Sequence, residues 1–179
     1  NGESTESKLA LGTKGAMRFT LRTSGQAAHS AYPHLGRSAI SDLVTILGEV
    51  EMLRLPRDPQ LGETTINIGK ISGGVADNVM APSAEAHLMA RLVTPSAELE
   101  TALRAWVGKR AELEIGITVE LARLGTIPGF ETCVAAYATD IPKLTNWGTP
   151  HLFGPGSIHV AHRDDEHVSV TELPDAADA

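Results

Sequence analysis

Ala84-Glu85-Ala86-His87-Leu88-Met89-Ala90-Arg91-Leu92-Val93 is the stretch on which the fold turns. Ala86, Leu88, Ala90 and Leu92 alternate with Glu85, His87, Met89 and Arg91, and a period of two sends the two sets to opposite faces of a strand. Directly after it, Thr94-Pro95 reads as an N-cap followed by proline at the first helical position. Leu99, Ala102, Leu103, Trp106 and Val107 then supply the buried face of a helix. Gly116 opens a last strand over 117–121. Upstream, Ser72-Gly73-Gly74 breaks the chain after a strand over 64–71. A helix is predicted over 37–53, where Ile40, Leu43, Val44, Leu47, Val50 and Met52 form an apolar stripe that Pro56 and Pro59 end. Before it come a loop of turn formers and small residues, 23–36, and a strand from Lys14 with Met17, Phe19 and Leu21 on one side and Arg18, Thr20 and Arg22 on the other.

The order β-α-β-β-α-β over about residues 15–123 is the split βαβ arrangement: an α+β, ferredoxin-like unit whose four-stranded antiparallel sheet carries two helices on one face. That fold hosts many functions and decides none. Its edge strands need covering or pairing, and pairing across a two-fold axis is a natural solution. After Gly125 the character changes to turns, a short apolar run from Cys133 to Ala138, a strand-to-turn signal at His151–Gly156, and an acidic tail with no clear final helix. This part lacks the apolar residues for a core of its own and is expected to join another layer.

Over 179 residues the chain is 42% hydrophobic and 21% charged, a globular composition, with a formal charge of −7. That balance argues against nucleic acid and against an anionic membrane as partners. One cysteine, Cys133, allows no internal disulfide and suits a reducing, cytoplasmic setting. It reads as a small buried apolar side chain.

The densest polar cluster is His159-Val160-Ala161-His162-Arg163-Asp164-Asp165-Glu166-His167. Imidazoles and carboxylates are good zinc ligands, but a solvated loop has the same composition. His29, in a loop of small residues, is either a surface histidine or a functional one. Arg91 is either an exposed charge or a carboxylate clamp, and Asn78 a turn former or a polar contact. Walker, GxGxxG and GxSxG patterns are absent.

Four stretches together resemble the di-zinc exopeptidase and deacylase family, which includes acetylornithine deacetylase, succinyl-diaminopimelate desuccinylase, aminoacylase-1 and glutamate carboxypeptidases. They are Gly2-Glu3-Ser4-Thr5; the segment from Gly25-Gln26-Ala27-Ala28-His29-Ser30 to Ile40; Asn78-Val79-Met80-Ala81-Pro82 with Arg91 downstream; and Gly154-Pro155-Gly156-Ser157-Ile158-His159-Val160-Ala161-His162. The first and last look closest to the acetylornithine and acetylcitrulline deacetylases. The resemblance implies a zinc-dependent amidohydrolase that removes an acyl group from a small N-acyl amino acid, with two zinc ions per subunit (cobalt or manganese as alternatives). It implies His162 as a metal ligand, His29 as the histidine that reaches into the partner subunit's site to stabilise an oxyanion, Arg91 as the binder of the substrate carboxylate, and Asn78 as an accessory contact. It also implies a homodimer and a division into the end of an N-terminal catalytic portion (1–14), a dimerisation domain (15–124) and a C-terminal segment of the catalytic domain (125–179).

One departure is large. The family's other metal ligands, a His-x-Asp pair, a bridging aspartate and a Glu-Glu pair, precede the dimerisation domain, and none is present. His162-Arg163-Asp164 has the right letters in the wrong place. The chain is therefore expected to be a fragment without hydrolytic activity of its own. A non-catalytic dimerisation module, a small metal-binding regulatory domain and a dipeptidase or carboxypeptidase of the same family are the rival readings.

Overall fold

The computed structural model describes residues 2–178. Asn1, counted in the N-terminal portion, and Ala179 lie outside the described residues. The chain begins with β1 (Leu9–Thr13) and continues into β2 (Gly15–Ser24), α1 (Ala39–Leu47), the hairpin β3 (Arg57–Asp58) and β4 (Gly62–Glu63), β5 (Thr65–Gly73), β6 (Ser83–Leu92), α2 (Ser96–Val107), β7 (Glu112–Val119), β8 (Ala122–Arg123), β9 (Thr132–Ala135) and α3 (Glu172–Ala177).

The main sheet has the order β5-β6-β2-β7, all neighbours antiparallel. This is the expected ferredoxin-like layout, with α1 and α2 on one face. Met17, Phe19 and Leu21 of β2 and Ala86, Leu88, Ala90 and Leu92 of β6 face the helices, and the core closes with Leu43, Ile46, Leu99, Leu103 and Val107. Apolar burial of this extent is the main stabilising term. Glu49 joins the two helices from below: it accepts from Trp106 Nε1 at 2.9 Å and takes both terminal nitrogens of Arg110 at 2.7 and 2.8 Å.

Several local expectations differ from what is observed. The predicted helix over 37–53 is a shorter α-helix, with Ser38 Oγ accepting from Ser41 N at its start, followed by a 3-10 turn at Val50–Met52. Its buried side is Ala39, Leu43, Ile46 and Leu47, and Ile40, Val44 and Met52 are exposed. An apolar arc wider than the core contact gives a period without saying which flank is covered. Thr94 does not cap α2. The helix starts one residue later, and the Glu120 carboxylate accepts from both the amide N–H (3.1 Å) and the hydroxyl of Ser96. The last sheet strand begins at Glu112, ahead of Gly116, and the tail does form a short helix, α3.

A second, three-stranded sheet has the order β8-β1-β9, with β1 antiparallel to β8 and parallel to β9. Its core is small: Ala10, Ala122, Ala135, Ile141 and Leu152. The β3–β4 hairpin bridges the two layers. Leu61 is buried, Asp58 pairs with Arg123 of β8, and Lys14 Nζ donates to Glu63 O at 2.7 Å. No helix among the described residues is long and apolar enough to cross a membrane.

Candidate functional site

His29 sits in a loop held at both ends. Gly25 follows β2, and any Cβ there would lie 2.2 Å from Arg37 O and 2.4 Å from Ala81 O, so the loop can leave the sheet only through glycine. Gln26 and Arg37 then exchange backbone bonds at 2.8 and 2.9 Å, which close the loop at its neck. Its tip pairs with the segment after β5: Met80 N donates to Ala28 O at 2.8 Å, Ser30 N to Asn78 O at 2.9 Å, and His29 and Val79 form an antiparallel bridge. Two of the expected site residues, His29 and Asn78, thus meet on neighbouring backbones at one end of the sheet.

The imidazole of His29 is exposed. Ala31 N donates to its Nδ1 at 3.1 Å. A neutral ring accepting at Nδ1 carries its proton on Nε2, so the free nitrogen is a donor. Tyr32 stands edge-on, with ring centroids 6.2 Å apart. The loop therefore offers one oriented N–H to a developing negative charge.

Arg91 is elsewhere. It lies on β6 between Ala16 of β2 and Thr65 of β5, on the open face of the sheet. Asn78 lies beyond the far end of β6, and ten residues at about 3.3 Å each make that strand about 30 Å long. Within one chain, Arg91 is not brought to His29 and Asn78. The same open face carries a chain of polar contacts that the sequence did not single out: Thr20 Oγ1 to His87 Nδ1 at 3.2 Å, His87 Nε2 to Glu85 Oε1 at 3.4 Å, and Arg22 to Glu85 and Glu114. The His87 imidazole, and behind it Arg22, hold the Glu85 carboxyl below its ordinary range. The only sequence signal for this chain is that His87 falls on the outward parity of β6.

The first and last stretches of the resemblance, separated by about 150 residues, lie side by side. Thr5 is buried, and Gly154 N donates to its Oγ1 at 3.1 Å. Thr5 N returns a bond to Gly154 O at 3.1 Å, and Glu6 N donates to Gly156 O at 2.9 Å. A Cβ on Gly154 would come within 2.4 Å of Glu3 O, so the contact requires glycine. Tyr137 OH donates to Ser4 O at 3.0 Å, and burial pushes its pKa up to about 12. Ser157 Oγ donates to Glu6 Oε1 at 3.1 Å.

His162 follows on an exposed turn at φ 63°, its amide N–H donating to Glu166 Oε2 at 2.8 Å. No hydrogen bond, ion pair or ring contact among the described residues links it to His29, Asn78 or Arg91. Nor do the described residues bring together three histidine, cysteine or carboxylate side chains that could hold a metal ion. A catalytic zinc takes three protein donors. The residues present do not fit a complete zinc centre, and the 159–167 cluster is an exposed loop. Half-burial raises the Cys133 thiol pKa, in keeping with an inert apolar role.

Residues 11–114 match the peptidase dimerisation domain of the M20 peptidases. Among curated proteins, a probable carboxypeptidase of Aspergillus niger is 40% identical over 98% of this chain and 47% of its own length. A peptidase M20 domain-containing protein of Sordaria macrospora is 36% identical over 99% of this chain and 41% of its own. The chain spans about half the length of the curated relatives it matches. Among solved structures, aminopeptidase PepT from Bacillus cereus superposes with a TM-score of 0.71 at 17% identity, over 98% of this chain and 52% of that one. An amidase of the hydantoinase/carbamoylase family from Burkholderia phymatum does so with 0.66 at 20% identity, over 83% and 44%. At such identities these two speak for the fold.

Proposed function

This chain belongs to the M20 peptidase family through its dimerisation domain, and on that premise we propose that the whole protein is a homodimeric, metal-dependent hydrolase of a small amide that bears a carboxylate. M20 relatives are hydrolases of amide or peptide bonds and are generally metal-dependent. The observation that carries the reading is the separation of His29 and Asn78 from Arg91, together with the character of β5. That strand is an unpaired edge with exposed Ile68 and Ile71, flanked by exposed Ile40 and Val44 of α1. The opposite edge, β7, presents Glu112 and Glu114, which discourage pairing. Antiparallel pairing of two β5 edges across a two-fold axis reverses the partner strand. The partner subunit's His29 and Asn78 then approach the end of β5 at Thr65, which is the end beside Arg91.

In that composite site Arg91 holds the substrate carboxylate in its guanidinium fork. The partner subunit's His29, its proton fixed on Nε2, donates to the scissile carbonyl oxygen as negative charge develops there. Asn78 adds a polar contact. His162 is assigned as one metal ligand of the whole protein, and zinc, two ions per subunit with cobalt or manganese as alternatives, remains the proposed metal. Residues 1–14 and 125–179 are assigned to the catalytic part, residues 15–124 to the dimerisation domain, and the protein to the cytoplasm. Both an N-acyl amino acid and a peptide with a free C-terminus place a carboxylate beside the amide. Removal of an acetyl group from an N-acyl amino acid is the first reading, and the names of the Aspergillus relatives favour carboxypeptidase action as the second.

The test is subunit complementation in the whole protein. His29→Ala is expected to lower turnover by about 10²–10³ with the metal content unchanged, and Arg91→Met to raise KM. Mixed and re-associated, the two variants form hybrid dimers in which one site has both residues intact, and about a quarter of wild-type activity returns. No recovery in a mixture shown to contain hybrids rules out a site shared between subunits.

A further inference from the structure

The two sheets are joined by a thin connection. The chain passes between them as β1 runs into β2 through Lys14, and as β7 runs into β8 through Glu120 and Leu121. One register carries across both passages: Ala16 pairs with Val119 on the main-sheet side, and Thr13 with Ala122 and Gly12 with Arg123 beyond. A Cβ on Gly15 would lie 2.5 Å from Val119 O, so the two passages touch backbone to backbone. The outer neighbours β6 and β9 each stay with one sheet, and the joint is a two-stranded antiparallel ribbon. A ribbon of two strands has little stability of its own and resists bending out of its plane poorly.

The β3–β4 hairpin spans that joint a third time, without a covalent link. Thr64 N donates to Pro56 O at 3.1 Å and closes its base. Asp58 Oδ1 shapes its tip by accepting from Gln60 N at 2.9 Å and Leu61 N at 2.8 Å. The tip sets Leu61, 2% exposed, over β1, where a Cβ on Gly12 would come within 2.8 Å of Leu61 Cδ2. Arg123 of β8 donates to Gln60 Oε1 at 2.8 Å and pairs with Asp58, and Lys14 Nζ donates to Glu63 O at 2.7 Å. The hairpin thus grips both strands of the ribbon at one rung, Gly12 and Arg123, about 7 Å past Lys14. Leu61 belongs to neither core, so its burial serves the joint. We propose that Leu61 is a positioning residue. With the hairpin 57–63 as a strut, it fixes the angle between the two sheets, and with it the distance from Arg91 on the main sheet to His162 in the second part. The consequence for catalysis rests on the reading of those two residues given above; the strut itself does not.

The angle can be read as a distance between two spin labels in the 179-residue chain. One label is attached at Ala105→Cys on α2 and one at Glu131→Cys before β9, both exposed positions, with Cys133→Ala to remove the native thiol. Labelled chain is diluted into unlabelled chain, so that pulsed electron resonance reads distances within one chain. The parent is expected to give one narrow distance. Leu61→Ala should broaden it at least about twofold, whereas Leu61→Met, of similar volume, should keep it narrow. Asp58→Ala removes the acceptor that shapes the tip and the pair with Arg123 while touching no core, and should broaden the distance by a smaller factor. A width unchanged in both Leu61→Ala and Asp58→Ala overturns the strut, and so does a broad distribution in the parent. In the whole protein, Leu61→Ala should lower kcat at least about tenfold, since a small misplacement at the reacting atoms is costly, with KM moving less and the metal content unchanged. Leu61→Met should return kcat to the parent level. A broadened distance with kcat unchanged overturns the positioning role. If the parent hydrolyses neither an N-acyl amino acid nor a peptide, the hydrolase reading fails, and the strut still stands or falls on the distances.

Discussion

The two sheets of this molecule are stabilised by different means. The four-stranded sheet packs Phe19, Met17, Leu21, Leu43, Leu88 and Leu103 between itself and two helices. The three-stranded sheet packs three alanines, Ile141 and Leu152, and most of residues 162–178 is exposed. What sets the second region in place is largely polar: the Thr5–Gly154 bonds, the Tyr137–Ser4 bond and the Asp58–Arg123 pair. A large apolar core specifies a structure through many weak contacts, and the loss of one is partly absorbed. A small one relies on a few directed bonds, each of which matters locally. The deep core lies under the sheet that would dimerise, and the candidate metal ligand lies in the shallow region.

Three measurements can break or sharpen this contrast. The largest effect is expected for Phe19→Ala, which should cost about 3–5 kcal/mol and shift the main urea transition as a whole. A loss under about 1 kcal/mol would mean that the first region is not the stabilising one. Leu152→Ala should cost about 2 kcal/mol, at the low end for leucine because a shallow core relaxes. Its signature should be faster amide exchange in Leu9–Thr13 and Thr132–Ala135 while the main sheet stays protected. Uniformly faster exchange in both sheets would show one cooperative unit and remove the contrast.

The smallest effect concerns the joint between the regions. The Arg123 guanidinium, followed by the amide N–H groups of Leu61 and Gln60, holds the Asp58 carboxyl at about 2, down from its ordinary 3.8. A carboxylate with a depressed folded value contributes stability that is complete above about pH 4 and lost as the pH falls toward 2. Arg123→Gln should flatten stability over that window, lowering it slightly at pH 7 and leaving it nearly unchanged near pH 2. An unchanged acid profile would mean that the pair does not tie the layers together.

Much of the main sheet was legible in advance because its signals are local. The alternation at Met17, Phe19 and Leu21 and at Ala86 to Leu92 depends only on which side of a strand each residue faces. The side of α1 that is covered was not legible, since Ile40 and Val44 are as apolar as Leu43 and only the packed partner separates them. The cap on α2 was missed because its acceptor, Glu120, lies 24 residues downstream and arrives only when β7 has returned to the sheet.

For the candidate site, the residue types and their order along the chain were set by the sequence: a histidine in a small-residue loop, an asparagine after a glycine pair, an arginine on the outward parity of a strand, and a histidine after a glycine turn. Only the tertiary structure decided which of them meet. Backbone pairing joins His29 to Asn78, whereas the length of β6 keeps Arg91 from both. Thr5 and Gly154, almost the whole chain apart, touch because two strands place them side by side. Periodicity reports the face on which a residue stands, and distance between faces belongs to the folded chain.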